Sequence, residues 1–222
     1  MITPSAIPLS LYVHLPWCTQ KCPYCDFNSH EGFTPDLQGP YVTALLQDFD
    51  SQLQGIEGRI VESIFIGGGT PSLFSGEWIQ RLLSELAKRI PFAPAAEITL
   101  ESNPGSAERG RYQSYVEAGV TRLSIGVQSF NDDALRRLGR IHSGDDARQA
   151  LHLASTTGFN NWNIDLMHGL PEQTAETAAA DLSEALALSA GHISWYQLTI
   201  ERNTRFWTSQ PLLPDERTLH SI

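Results

Sequence analysis

The residues best equipped for chemistry stand close together near the start of the chain: Cys18, Cys22 and Cys25, in the segment Cys18-Thr-Gln-Lys-Cys22-Pro-Tyr-Cys25. No other cysteine occurs in the 222 residues. An odd number of clustered thiols is a poor disulfide framework and suggests metal in a reducing compartment. Three thiolates on one loop can hold three corners of a cubane iron–sulfur cluster, leaving one iron open for chemistry. The same thiols suit a structural zinc ion, which would draw a fourth ligand from His14, Asp26 or His30. The cysteines alone leave both readings open.

The elements that must position this loop follow from periodicity. Short apolar runs predict strands at 9–14, 61–66, 97–101, 120–127, 162–167 and 192–200. Helical spacing falls between and after them, at 41–54, 78–89, 107–118, 132–138, 145–157 and 173–189. Strand–helix alternation requires a parallel sheet, because parallel neighbours need crossover connections. Six such units predict an α/β fold, a partial (β/α)6 barrel with parallel strands. In such folds ligands collect where the C-terminal ends of the strands meet. Tyr12 and the cysteine loop end the first strand, Gly67 to Thr70 the second and Glu101 the third, while Gln128 follows the fourth and Asp165 lies on the fifth. Singly, Glu101 could cap a helix and Gln128 could close a turn. Together on one rim they predict a polar site beside the cysteines.

Composition narrows the partners. A net charge of −10 argues against a phosphate-backbone binder. With only Lys21 and Lys88 as lysines, there is no polybasic stretch for an anionic membrane. No window has the length of a transmembrane segment, and residues 1–10 lack the form of a leader, so the expected location is cytoplasmic. The barrel is expected over 1–205. Residues 206–222 read as a linker, or as the start of a C-terminal region missing from this chain.

The cysteine spacing, with Tyr24 before the last thiol, resembles the signature of the radical S-adenosylmethionine (SAM) superfamily. Further likeness runs through Tyr12-Val-His-Leu-Pro-Trp-Cys18, Phe65-Ile-Gly-Gly-Gly-Thr-Pro71, Glu101-Ser-Asn-Pro-Gly105, Ser124-Ile-Gly-Val-Gln-Ser-Phe130, Leu138-Gly-Arg-Ile-His142 and Asn163-Ile-Asp-Leu-Met-His-Gly-Leu-Pro171. These segments, spread over nearly the whole chain, resemble the oxygen-independent coproporphyrinogen III oxidases and the related HemW-type heme chaperones. The resemblance implies a radical SAM barrel with a 4Fe-4S cluster on Cys18, Cys22 and Cys25. It also implies S-adenosyl-L-methionine on the open iron, with reductive cleavage of the sulfonium as the chemistry. Carried over by motif, Gly68, Gly69 and Thr70 receive the SAM amino group, Glu101, Gln128 and Asp165 contact SAM, and Arg140 pairs with its carboxylate. Tyr12 is expected near the cluster, and Tyr24 against the adenine.

Two departures separate the subgroups. Phe27 stands where the oxidases carry a further cysteine, and only seventeen residues precede Cys18, so the long oxidase extension is absent. Both favour the chaperone group and argue against coproporphyrinogen oxidase activity. The expected partners are therefore heme or a porphyrin, a recipient heme protein and an electron donor. The His-Asn and Tyr-Trp pairs usual in the chaperone group do not occur in this sequence. His14, His142, His168 and His192 remain as candidate heme ligands, each better read as a hydrogen-bonded structural histidine.

Overall fold

The computed structural model describes residues 7–56, 58–105, 110–188 and 191–222. Six strands, β1 (Leu9–Leu15), β2 (Val61–Gly68), β3 (Phe92–Ser102), β4 (Arg122–Gln128), β5 (Asn161–His168) and β6 (His192–Gln197), lie side by side in chain order. Every neighbouring pair is parallel. Helices α1 (Gln38–Gln52), α2 (Gly76–Arg89), α3 (Tyr112–Glu117), α4 (Asp132–Arg137), α5 (Gly144–Thr157) and α6 (Ala175–Ala187) fill the crossovers. Crossovers between successive parallel strands are right-handed as a rule, which puts the helices on one face of the sheet and gives the open α/β barrel that the alternation predicts.

The pleat sorts the two faces. Val13, Leu15, Ile64, Ile66, Leu100, Leu123, Ile125 and Ile164 point toward the helices and form one core with Val42, Leu46, Ile79, Leu82 and Leu86. On the other face the register sets Tyr12 beside Phe65, Glu101 beside Ser124, and Asp165 beside Ser194. A closed eight-stranded barrel fills this space with branched apolar side chains. Here it is lined by polar ones, which leaves room for a ligand.

Several boundaries differ from expectation for local reasons. β2 runs on through Gly67 and Gly68 because these pair with His14 and Leu15. α1 starts at Gln38, since Pro40 is tolerated in a first turn. β3 starts at Phe92, hidden in the sequence by Pro94 and by a register slip between Val61 and Ser63. Of the helix expected at 107–118, Tyr112–Glu117 is seen, and 106–109 lie outside the described residues. β6 ends at Gln197, and the expected end of α6 at 189 is likewise undescribed.

Side-chain caps frame the stretch from 138 to 143. Asn131 caps α4 by accepting from Ala134 N, and Ser143 forms a capping box with Asp146 at the start of α5. After β6, the short helices α7 (Arg205–Thr208) and α8 (Glu216–Ser221) follow an irregular path. Phe206 N donates to Pro23 O at 2.9 Å. Its ring joins Leu138, Met167, Leu170 and Leu198 in a second apolar cluster, against which Tyr24 packs.

Candidate cofactor site

The cysteine loop is fastened at its base. Cys18 N donates to His30 O at 2.8 Å, and His30 N to Pro16 O at 2.7 Å. Lys21 Nζ donates to Phe27 O at 2.9 Å, closing the loop on itself. The glycine turn after β2 is bonded to the same loop, through Gly69 N to Leu15 O (2.9 Å) and Thr70 N to Trp17 O (2.7 Å). A Cβ at Gly69 would lie 2.6 Å from Trp17 O, so glycine is needed there for backbone to approach backbone. All three thiols are free; Cys18 is buried and the other two are half-buried. Burial pushes the Cys18 thiol up, while the hydroxyls of Thr70 and Ser29 draw it back.

Above the loop lies a cavity of about 430 Å³. It is lined by Cys18, Cys22, Cys25, Tyr24, Gly68, Gly69, Thr70, Glu101, Gln128, Arg140 and Asp165. The fold thus brings together all the site residues named from the sequence except Tyr12. A shallower groove at Arg202, Thr204 and Trp207 contains none of them. Among the described residues no three His, Cys, Asp or Glu side chains are gathered closely enough to hold a single metal ion. A cubane spreads its thiolate ligands over separate corners, and thiolates are the donors it takes.

The charged groups of the cavity are strongly constrained. Glu101 Oε2 accepts from Gly68 N at 3.0 Å. Burial, aided by nearby Asp165, pushes the Glu101 carboxyl up to about 7, against the pull of the Gly68 N–H. Asp165 is also raised by burial, although it accepts from Ser124 Oγ at 2.9 Å and Asn163 Nδ2 at 2.7 Å. Arg140 donates to Asn103 Oδ1 at 2.6 Å and Gly126 O at 2.8 Å, and reaches Cys22 Sγ at 3.5 Å. Asn103 in turn donates to Thr70 Oγ1 at 3.0 Å. One hydrogen-bonded chain therefore joins a cysteine, the arginine and the glycine turn. The carboxyl oxygens of Glu101 and Asp165 can accept amino or hydroxyl hydrogens from a polar ligand.

Tyr12 lies elsewhere on the polar face. It stacks on Phe65 with ring centroids 6.3 Å apart, and its hydroxyl donates to His14 Nδ1 at 2.9 Å. His14 Nε2 donates to Asn28 O at 2.8 Å, so Tyr12 is connected to the cysteine loop through His14. Tyr24 lines the cavity but is packed on Phe206, 6.4 Å between centroids. Of the other candidate heme ligands, His142 is bonded to Val127 O and His168 packs on Trp195.

Sequence reasoning missed Asn103, Ser124, Met167 and Tyr196 as cavity residues. Tyr196 donates its hydroxyl to Gln128 Oε1 at 2.5 Å. Burial raises its phenol well above the ordinary value, so it remains a donor. The usable signal was strand alternation: Ser194 and Tyr196 share a face with Asp165 once β6 is set parallel to β5.

The fold and cavity define an open parallel α/β barrel with a three-thiol loop at the C-terminal end of its first strand. The Radical SAM superfamily model matches residues 12–185, and the chain belongs to that superfamily. Membership implies a 4Fe-4S cluster and SAM as cofactors. The chain is 55% identical over 223 residues to the heme chaperone HemW of Haemophilus influenzae, covering 99% of this chain and 58% of that one. It is 54% identical over 217 residues to HemW of Escherichia coli, covering 97% and 57%. The chain thus spans a little over half the length of these relatives. The solved structure of coproporphyrinogen III oxidase (HemN) from Escherichia coli, described as a radical SAM enzyme, superposes with a TM-score of 0.86 at 31% identity, over 97% of this chain and 50% of that one. The archaeal Elp3 of Methanocaldococcus infernus, at TM-score 0.64 and 18% identity, shares the fold. No helix among the described residues is long and apolar enough to cross a membrane.

Proposed function

We propose that this chain is the barrel portion of a HemW-type heme chaperone. Cys18, Cys22 and Cys25 hold the cluster, and the adjoining cavity holds SAM. The observation that carries the reading is the convergence of the three thiols, the glycine turn, Glu101, Gln128, Arg140 and Asp165 on one cavity. When bound, the reduced cluster supplies the electron that cleaves the sulfonium of SAM. The chain's own groups orient the ligand: Gly68 to Thr70 and Glu101 face its amino end, Arg140 its carboxylate, and Asp165 and Gln128 its sugar or base. Tyr12 acts on the loop through His14. The barrel is taken to run from β1 through β6, with the short helices α7 and α8 following it. The protein works in the cytoplasm, where its thiols stay reduced. Its partners are heme, an electron donor and a recipient apoprotein.

An anaerobic heme titration of the cluster-loaded protein tests this reading. Stoichiometric heme binding, with transfer to an apo-hemoprotein, is the expected result. The fold match to the oxidase at TM-score 0.86 favours a second reading, decarboxylation of porphyrinogen propionates. Against it, Phe27 stands in the cavity wall, 59% exposed, where those oxidases carry another cysteine. Conversion of coproporphyrinogen III with SAM and reductant, and no heme binding, would establish the oxidase.

A further inference from the structure

Gln128 reaches the cavity through an unusual piece of backbone. Between Ile125 and Gln128 the β4–β5 register slips, so that Gly126 and Val127 stand opposite Asp165 alone. Bulges of this kind re-aim side chains beside sites. Gln128 then takes φ 68°, and Ser129 N donates back to Val127 O at 2.9 Å. A bond across one residue of positive φ is the rarer, strained form of the γ-turn. Such backbone persists only where its surroundings over-determine it.

The surroundings grip this turn from three directions. Arg140 Nη2 donates to Gly126 O at 2.8 Å. Two residues further along the same loop, His142 Nε2 lies 3.0 Å from Val127 O, and because a carbonyl can only accept, Nε2 carries the hydrogen. From α6, Asp181 accepts from Ser129 Oγ at 2.6 Å and from Phe130 N at 2.8 Å. His142 is 6% exposed and does not line the cavity. Gln128, by contrast, is committed on the cavity side, with Oε1 accepting from Tyr196 and the amide nitrogen lying over Gly126.

We infer that His142 is a positioning residue for SAM: by holding the Val127 carbonyl it fixes the strained turn that aims Gln128. The inference rests on the SAM-binding reading of the cavity. It is tested with two amide variants in the cluster-loaded protein. In His142→Gln the amide nitrogen falls near Nε2 and still reaches Val127 O, whereas in His142→Asn it does not. Loss of one hydrogen bond predicts SAM binding about fivefold to tenfold weaker in His142→Asn, with His142→Gln within about threefold of the parent. Iron and sulfide content should match in both. In a Gln128→Ala background, His142→Asn should weaken SAM binding no further, the non-additivity expected of coupled residues. Equal losses in the Asn and Gln variants, an undiminished Asn effect without Gln128, or failure of both variants to fold would each overturn the inference. An unmutated, fully loaded protein that does not bind SAM would instead remove the SAM reading itself.

Discussion

Replacing Glu101 with Gln should stabilise the unliganded chain at alkaline pH and weaken its hold on SAM, two effects of opposite sign from one substitution. The carboxyl is buried beside Asp165, and its pKa in the folded chain is about 7. In the unfolded chain a glutamic acid titrates near ~4.3. Because the folded value is higher, the folded state holds the proton more tightly. The associated stability is fully present below the unfolded value and is lost as the pH rises through about 7. A gap of roughly 2.7 units sets a ceiling of about 4 kcal/mol on that loss. Gln keeps an acceptor for Gly68 N and never ionises. The unfolding free energies of the two proteins from urea titrations should therefore nearly coincide at about pH 4 and separate by up to about 4 kcal/mol, with the variant more stable, at about pH 8. Equilibrium dialysis at the higher pH should show SAM bound roughly tenfold to a hundredfold more weakly by the variant, the worth of a charge-assisted hydrogen bond. A variant destabilised equally at both pH values, or one with unchanged SAM affinity, would refute this account of Glu101.

Three further substitutions probe other parts of the site. Cys22→Ser should abolish cluster assembly, since a hydroxyl is a poor substitute for the soft thiolate; retained visible cluster absorbance would contradict the ligand assignment. Asp181→Ala leaves the Ser129 hydroxyl and the Phe130 N–H without their buried acceptor. It should cost about 2–4 kcal/mol in urea unfolding, and a change below about 0.5 kcal/mol would show that the network carries little. Gly69→Ala places a Cβ 2.6 Å from Trp17 O. It should cost about 1–3 kcal/mol and lower the iron content after reconstitution, whereas normal iron content would show that the cysteine loop does not depend on this contact.

The cysteine loop was legible because spacing alone specifies how many thiols one loop can present. The barrel was legible because period-2 and period-3.6 patterns alternate cleanly along the chain. The rim residues Glu101 and Asp165 followed from strand polarity. Three features escaped for physical reasons. The bulge at Gly126 and Val127 depends on a positive φ at Gln128, a residue type that gives no such signal. Asp181 sits in an alanine-rich helix and reads as a solvent-facing position, yet it is 5% exposed because it reaches across to Ser129. Tyr196 meets Gln128 only when β6 is docked on β5, a long-range register that periodicity does not supply. Tyr12, named from its motif, stands on the correct face but stacks on Phe65 outside the cavity wall.

A cluster on three cysteines with SAM beside it has a direct signature in electron paramagnetic resonance of the reduced, anaerobically reconstituted protein before and after SAM is added, with iron and sulfide measured on the same sample. About four iron and four sulfide per chain are expected, with a spectrum that SAM shifts by binding next to the cluster. About one zinc per chain with no paramagnetic signal, or a cluster spectrum indifferent to SAM, would contradict this assignment.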